Sequence, residues 1–291
     1  MIVRLGDRRL QVGGRPLLMG IVNASPDSFS DAGEHADPVA HGAALLAAGA
    51  DLLDVGGESA RGDTPAVAPA EEIARVVPVI ERLADEHGAL VSVDTYKPAV
   101  AEAAIAAGAR MVNDVSGLRD EALADVCART GAGLVVMHTR AAPKETLLDP
   151  GAYDDVVADV VAFLRERIEA ALARGVGADQ IVLDPGPDFA KTPAQTVAVL
   201  RRLDAVRALG RPLLLAASRK DFVGAVTGRP PRERLAGTLA ALAHGADAGA
   251  ALLRVHDVAA AADFLAVRAV LRGERELAPA EGLTPERYPL R

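Results

Sequence analysis

The chain has 291 residues, half of them hydrophobic, with one cysteine, five phenylalanines and no tryptophan. Its 32 Lys and Arg against 40 Asp and Glu give a net charge of −8, which argues against general affinity for nucleic acid or an anionic membrane surface. Any anion site must then be a local basic cluster.

Cys127 cannot form an internal disulfide and lies in the helical pattern EALADVCARTG, so it reads as a core residue of a protein kept in a reducing cytoplasm. The opening MIVRLGDRRL is charged too early for the apolar segment of a secretory signal, and no run reaches the roughly 18 apolar residues of a membrane span. The expectation is a soluble cytoplasmic protein with no nucleic-acid or membrane partner.

Residues 1–16 alternate around two turn signals, Gly6-Asp7 and Gly13-Gly14, which predicts a short β-hairpin covering one end of a barrel. From 17 to 273 the chain repeats a short apolar run followed by a long Ala-rich amphipathic segment. The runs are LLMGIVNA, ADLLDVGG, ALVSVDTY, RMVNDVSG, GLVVMH, QIVLDPG, PLLLAAS and ALLRVHDV. Continuous apolar runs suit strands buried on both faces, and alternation with helices implies parallel pairing through crossovers. Eight such units in this length predict an α/β protein of (β/α)8 TIM-barrel type, which typically takes about 250 residues. A doubly wound open sheet would carry a glycine-rich phosphate turn after its first strand, where this chain has NASPDSFSD. The tail, 274–291, is expected to pack loosely along the surface or to be partly disordered.

The active site of such a barrel lies at the C-terminal ends of its strands. Those ends read Asn23; Asp54, with Glu58 beyond; Asp94; Asn113 and Asp114; His138; Asp184; Ser218, Arg219 and Lys220; then Arg254, His256 and Asp257. Asp94, Asn113, Asp184 and Lys220 suit a flat heterocycle that has several donors and acceptors. Arg254 and His256, two apart on one strand, point the same way and could meet a diphosphate. Asn23 could hold Mg2+, an ion that takes few protein ligands. A metal-dependent hydrolase using His138, His256, Asp94 and Asp184 is disfavoured, because the first strand carries no His pair.

The chain resembles the dihydropteroate synthase family over residues 15–272. GIVNASPDSFSD, DLLDVGGES, VSVDTYKPAVAEAAIAAGA and MVNDVSG occur in the family's order, followed by VMHTR, VLDPGPDFAKT, SRKDFVG and LLRVHDV. The resemblance implies a barrel enzyme, a homodimer, that joins 4-aminobenzoate to 6-hydroxymethyl-7,8-dihydropterin diphosphate with Mg2+. It implies that Asp184, Asn113, Asp94, Phe189 and Lys220 bind the pterin, and that Arg254, His256 and Asn23 hold the diphosphate, with Mg2+ on Asn23. Asp27, Phe29 and Arg61 would close over the aminobenzoate, and Asp27, Arg61 and Lys220 would act in catalysis.

Four positions depart from the family's pattern. The second loop reads GESARGD, with Ala60 and Gly62 where a hydroxyl and a proline are common; Asp188 stands at a usual glycine, and Asp221 at a usual serine near the aminobenzoate carboxylate. A carboxylate facing a carboxylate is unfavourable. Asp221 either opposes the substrate or turns outward, capping the next helix and leaving its backbone N–H for the substrate. The alternative reading is a divergent pterin-binding paralogue with another amine acceptor or no activity.

Overall fold

A computed structural model of the chain describes residues 1–25, 37–59 and 64–278. The N-terminal segment forms the antiparallel pair β1 (Ile2–Leu5) and β2 (Arg8–Gln11). The barrel strands follow as β3 (Leu17–Asn23), β4 (Leu52–Gly56), β5 (Val91–Asp94), β6 (Met111–Asp114), β7 (Gly133–Met137), β8 (Ile181–Asp184), β9 (Leu214–Leu215) and β10 (Leu252–Val255). They pair in parallel in the order β8-β7-β6-β5-β4-β3-β10-β9, and a parallel bridge between Leu183 and Leu213 joins the two ends. The eight apolar runs are therefore the eight staves of the expected barrel. The seventh is shorter than its run of residues 213–217, because the chain leaves the ladder toward a turn at Arg219, whose φ is +58°.

Helices cross between the staves: α1 (Pro38–Ala47), α2 (Pro69–His87), α3 (Pro98–Ala106), α4 (Ala122–Thr130), α5 (Val156–Ala173), α6 (Pro193–Leu200), α7 (Leu203–Arg207), α8 (Asp221–Thr227), α9 (Leu235–Asp247) and α10 (Val258–Leu271). Their ends are written in the sequence. Pro occupies the first turn of α1, α2, α3 and α6, where its missing N–H is no loss, and Asp37 and Asp155 accept backbone N–H groups at two N-termini. Thr192 and Gln195 bond reciprocally in a capping box.

Because a strand sends alternate side chains to opposite faces, the barrel has two apolar layers. Outward residues such as Leu18, Leu53, Val93, Val112 and Leu134 pack under the helices. Inward residues Met19, Leu52, Met111, Val135, Val182, Leu214 and Leu252 meet Val3, Leu5 and Val12 of the hairpin segment, which plugs the N-terminal end. Gly133 makes room for that plug, since a Cβ there would come within 2.4 Å of Leu5. Cys127 is fully buried and its thiol is pushed up to about 12 by burial, as a core residue's would be. Among the described residues no helix is long and apolar enough to cross a membrane.

Leu5 is fully buried in the plug. Leu5→Ala should lower unfolding stability by about 3 kcal/mol in urea titrations, the usual cost of a cavity at such a site.

Candidate active site

One inward step beyond the apolar plug, the residue type changes. Met19, Leu52, Met111, Val182 and Leu252 lie in the plug layer. Two or four residues later, on the same strands or just past their ends, come Asn23, Asp54, Asn113, Asp184, Arg254 and His256. Asn23, Gly56, Asp94 and Asn113 are register partners in succession across β3 to β6, so they occupy one level of the barrel.

Arg254 ties this level together. Its Nε donates to Asp54 Oδ2 at 2.6 Å and its Nη2 to Asp94 Oδ2 at 2.7 Å, while Asn113 Nδ2 donates to the same Asp54 oxygen at 2.9 Å. Asp54 is fully buried, and its second oxygen and Ser92 Oγ are buried without a hydrogen-bond partner among the described residues. Burial pushes the Asp94 carboxyl up to about 7 against the pull of Arg254. Burial works to lower Arg254 as well, but Asp54 and Asp94 outweigh it and hold the guanidinium charged.

Asp184 accepts from the Gly186 N–H at 2.7 Å, and burial lifts its pKa to about 6 despite that bond and the nearby Lys220. Lys220 stands at the N-terminus of α8 with its ammonium 4.2 Å from the centre of the Phe189 ring, and burial lowers its pKa. Ser218 Oγ lies 2.9 Å from His256 Nδ1 and accepts the His256 backbone N–H at 3.2 Å. Burial and the Arg254 charge press His256 down to about 3, so in the ligand-free site it is neutral near pH 7. Arg219 turns aside to Asp257, 2.6 Å away.

A cavity of about 500 Å³ opens above this ring, lined by Asp94, Tyr96, Thr139, Asp188, Phe189 and Lys220 among others. Asn23 stands exposed at the end of β3. Asp27, Phe29, Ala60, Arg61 and Gly62 lie outside the described residues.

Two supports escaped the sequence reading. Lys191 is almost fully buried and donates to His138 Nδ1 at 2.7 Å, Gly186 O at 2.9 Å and Phe189 O at 3.0 Å, fastening the loop that carries Phe189. His138 Nε2 lies 3.0 Å from Asp159, so both its ring nitrogens are engaged inside the protein. At the neck of the second loop, Glu58 accepts from Tyr96, Lys97 and the Val67 N–H, and Lys97 also donates to Glu72. Burial works to raise the Glu58 pKa, and these bonds outweigh it.

The two described departures turn out to be joined. Asp221 does turn outward, 81% exposed at its side chain, and pairs with Arg234 at 2.9 Å. Its backbone N–H, expected to remain for the substrate, is taken by Asp188 Oδ2 at 2.6 Å. Asp188 thus caps α8 from another loop, which sequence spacing could not show.

Residues 19–256 match the family model described as a pterin binding enzyme. The dihydropteroate synthase of Bacillus subtilis is 42% identical over 248 residues, 84% of each chain. The Xanthomonas albilineans dihydropteroate synthase with 4-aminobenzoic acid is 46% identical with a TM-score of 0.86, covering 94% of this chain and 99% of that one. The same enzyme in complex with 7,8-dihydropteroate aligns at 44% identity and a TM-score of 0.83. A ring of buried carboxylates, amide and cations on this barrel, matched over most of its length, places the chain in the pterin-binding enzyme family, among the dihydropteroate synthases.

Proposed function

We propose that the chain condenses 6-hydroxymethyl-7,8-dihydropterin diphosphate with 4-aminobenzoate, releasing 7,8-dihydropteroate and diphosphate, as a transferase of folate biosynthesis. The observation that carries this reading is the polar level built on the apolar plug, with Asp184 and Lys220 on one side and Asn113, Asp94 and Arg254 on the other. Asp184 can accept adjacent N–H groups of an aminopyrimidine edge, Lys220 can donate to the ring carbonyl, and Asn113 and Asp94 complete the outline. Phe189 offers the ring a flat neighbour.

In the reaction the bond between the pterin methylene carbon and the diphosphate oxygen breaks, and its electron pair leaves with diphosphate. The aniline nitrogen supplies the new pair to that carbon and gives its proton to solvent. The pterin ring delocalises the positive charge that grows on the methylene, so the protein's task is to orient the ring and stabilise the departing anion. Arg254, held charged by its two carboxylates, and His256, as a hydrogen-bond donor, are the strand-end groups that fit that anion. The roles of Asp27 and Arg61 toward the aminobenzoate belong to the same reading.

Asn23 suits Mg2+. It is an exposed amide at a strand end, and among the described residues no group of three or more His, Cys, Asp or Glu could hold a metal by itself. Such a site fits an ion that takes most of its ligands from phosphate oxygens and water. Bound there, Mg2+ would offset the charge of the leaving diphosphate. We take the hairpin, the barrel of 17–273 and the tail from 274 as one catalytic unit. A cytoplasmic homodimer through the last helices accords with the free Cys127 and with exposed Val267 and Leu271 on α10.

A coupled assay with pterin diphosphate and Mg2+ should show diphosphate release that depends on 4-aminobenzoate; pterin binding without such release would overturn the reading. In the ligand-free fold Asp184, lifted to about 6, binds its proton more tightly than an unfolded Asp does, so its contribution to stability is lost as pH rises through about 6. A pterin that donates to it selects the carboxylate. Calorimetry should therefore show 6-hydroxymethylpterin affinity level above about pH 7, where Asp94 and Asp184 are both ionised, and falling below it, with the step near pH 6 absent in Asp184→Asn. Asp54→Ala leaves the Arg254 guanidinium with one carboxylate and should cost about 3 kcal/mol of unfolding free energy in urea.

A further inference from the structure

Asp188 is held in an unusual way for a residue at the edge of a substrate cavity. Its φ is +63°, a left-handed conformation in which a glycine is free and most side chains are strained. The side chain compensates with a full set of bonds. Oδ2 accepts the backbone N–H groups of Asp221 at 2.6 Å and Phe222 at 3.3 Å, and Oδ1 accepts the Thr196 hydroxyl at 3.0 Å. Those two N–H groups belong to the first turn of α8, whose start also presents Lys220 to the cavity.

The acceptor's orientation follows from the chemistry proposed above, on which this inference rests. The pterin's polar edge is held at the strand ends, so its methylene faces the cavity mouth. The aniline nitrogen must face that methylene, which sends the carboxylate, at the opposite end of the benzene ring, toward the rim. The cavity wall beside Phe189, Arg219 and Lys220 includes Asp188 and Asp221. Asp221 is neutralised in part by Arg234 and points to solvent, whereas Asp188 stays at the rim as an internal carboxylate on the N–H groups.

We propose that Asp188 is a specificity-determining residue that lowers the protein's preference for a negatively charged acceptor. It does so by taking the Asp221 and Phe222 N–H groups for itself and by adding its own charge to the rim that the acceptor's carboxylate approaches. A residue serving only to cap α8 would affect both charged and neutral acceptors alike. The discriminating quantity is therefore a ratio, which cancels any change in the folded fraction.

The test compares 4-aminobenzoate with 4-aminobenzamide, its uncharged counterpart, in the native chain, Asp188→Asn and Asp188→Gly. Removing the charge should raise the ratio of kcat/KM for the acid over the amide by on the order of tenfold in Asp188→Asn. Asp188→Gly should raise it further, because it also frees the two N–H groups. Titrating the same two acceptors into protein holding 6-hydroxymethylpterin and diphosphate reads the ratio without turnover. An inactive protein would thus sink the proposed function while still testing Asp188. Ratios that stay within about twofold of the native value in both variants would overturn the proposal.

Discussion

The alternation of side chains along a closed ring of parallel strands is the constraint on which this molecule depends. Every second residue of each strand must enter the barrel, and the space there admits only a few layers. The lower layer is filled by Met19, Leu52, Met111, Val182 and Leu252 and sealed by Leu5 and Val3 from the hairpin. The layer above is then the only place where the same strands can show polar groups to a ligand while the apolar floor keeps water from reaching them below. Packing and chemistry are consecutive positions on one strand.

That arrangement concentrates charge where solvent cannot screen it. Asp54, Asp94 and Asp184 would be unfavourable neighbours alone, and Arg254 and Lys220 are what make them tolerable. The cost of burying each group is only partly offset in the ligand-free chain: Asp94 and Asp184 hold protons more tightly than exposed carboxyls, and Lys220 holds its own less tightly. A ligand with the complementary pattern of donors and acceptors is the missing counterpart of a site in this state. The loops that carry Phe189 and Glu58 are held by two other lysines, the buried Lys191 and the half-buried Lys97, so the walls are fixed by interactions separate from those that meet the ligand.

Most of this could be read from the order of residues. The eight runs are continuous apolar stretches because both faces are buried, and each ends in a polar residue because the barrel's inward layer changes character there. The partners of those residues could not be read. Asp54 and Arg254 are 200 positions apart in the chain, and only barrel closure brings the guanidinium between Asp54 and Asp94. Lys191 looks like an ordinary loop charge until its burial beside His138 is seen. Asp188 and Asp221 stand out in the sequence as two departures from the family's pattern on one side of the site, and the strand-to-helix loop geometry makes them one contact. Local pattern carries period and polarity; pairings across the ring depend on topology.

The hairpin that floors the barrel joins residues far apart in the sequence. Gly6 bonds to Gly131, Arg4 reaches Asp179, and the apolar seal extends to Leu252 on the last strand. Residues of β1 thus find all their neighbours only once β10 has joined the sheet. Contacts of such long sequence separation slow folding, since loop entropy must be lost before they form. The apolar side chains of β1 therefore stay without their full burial until the barrel's last strand is in place, so closing the sheet and sealing its floor are one event.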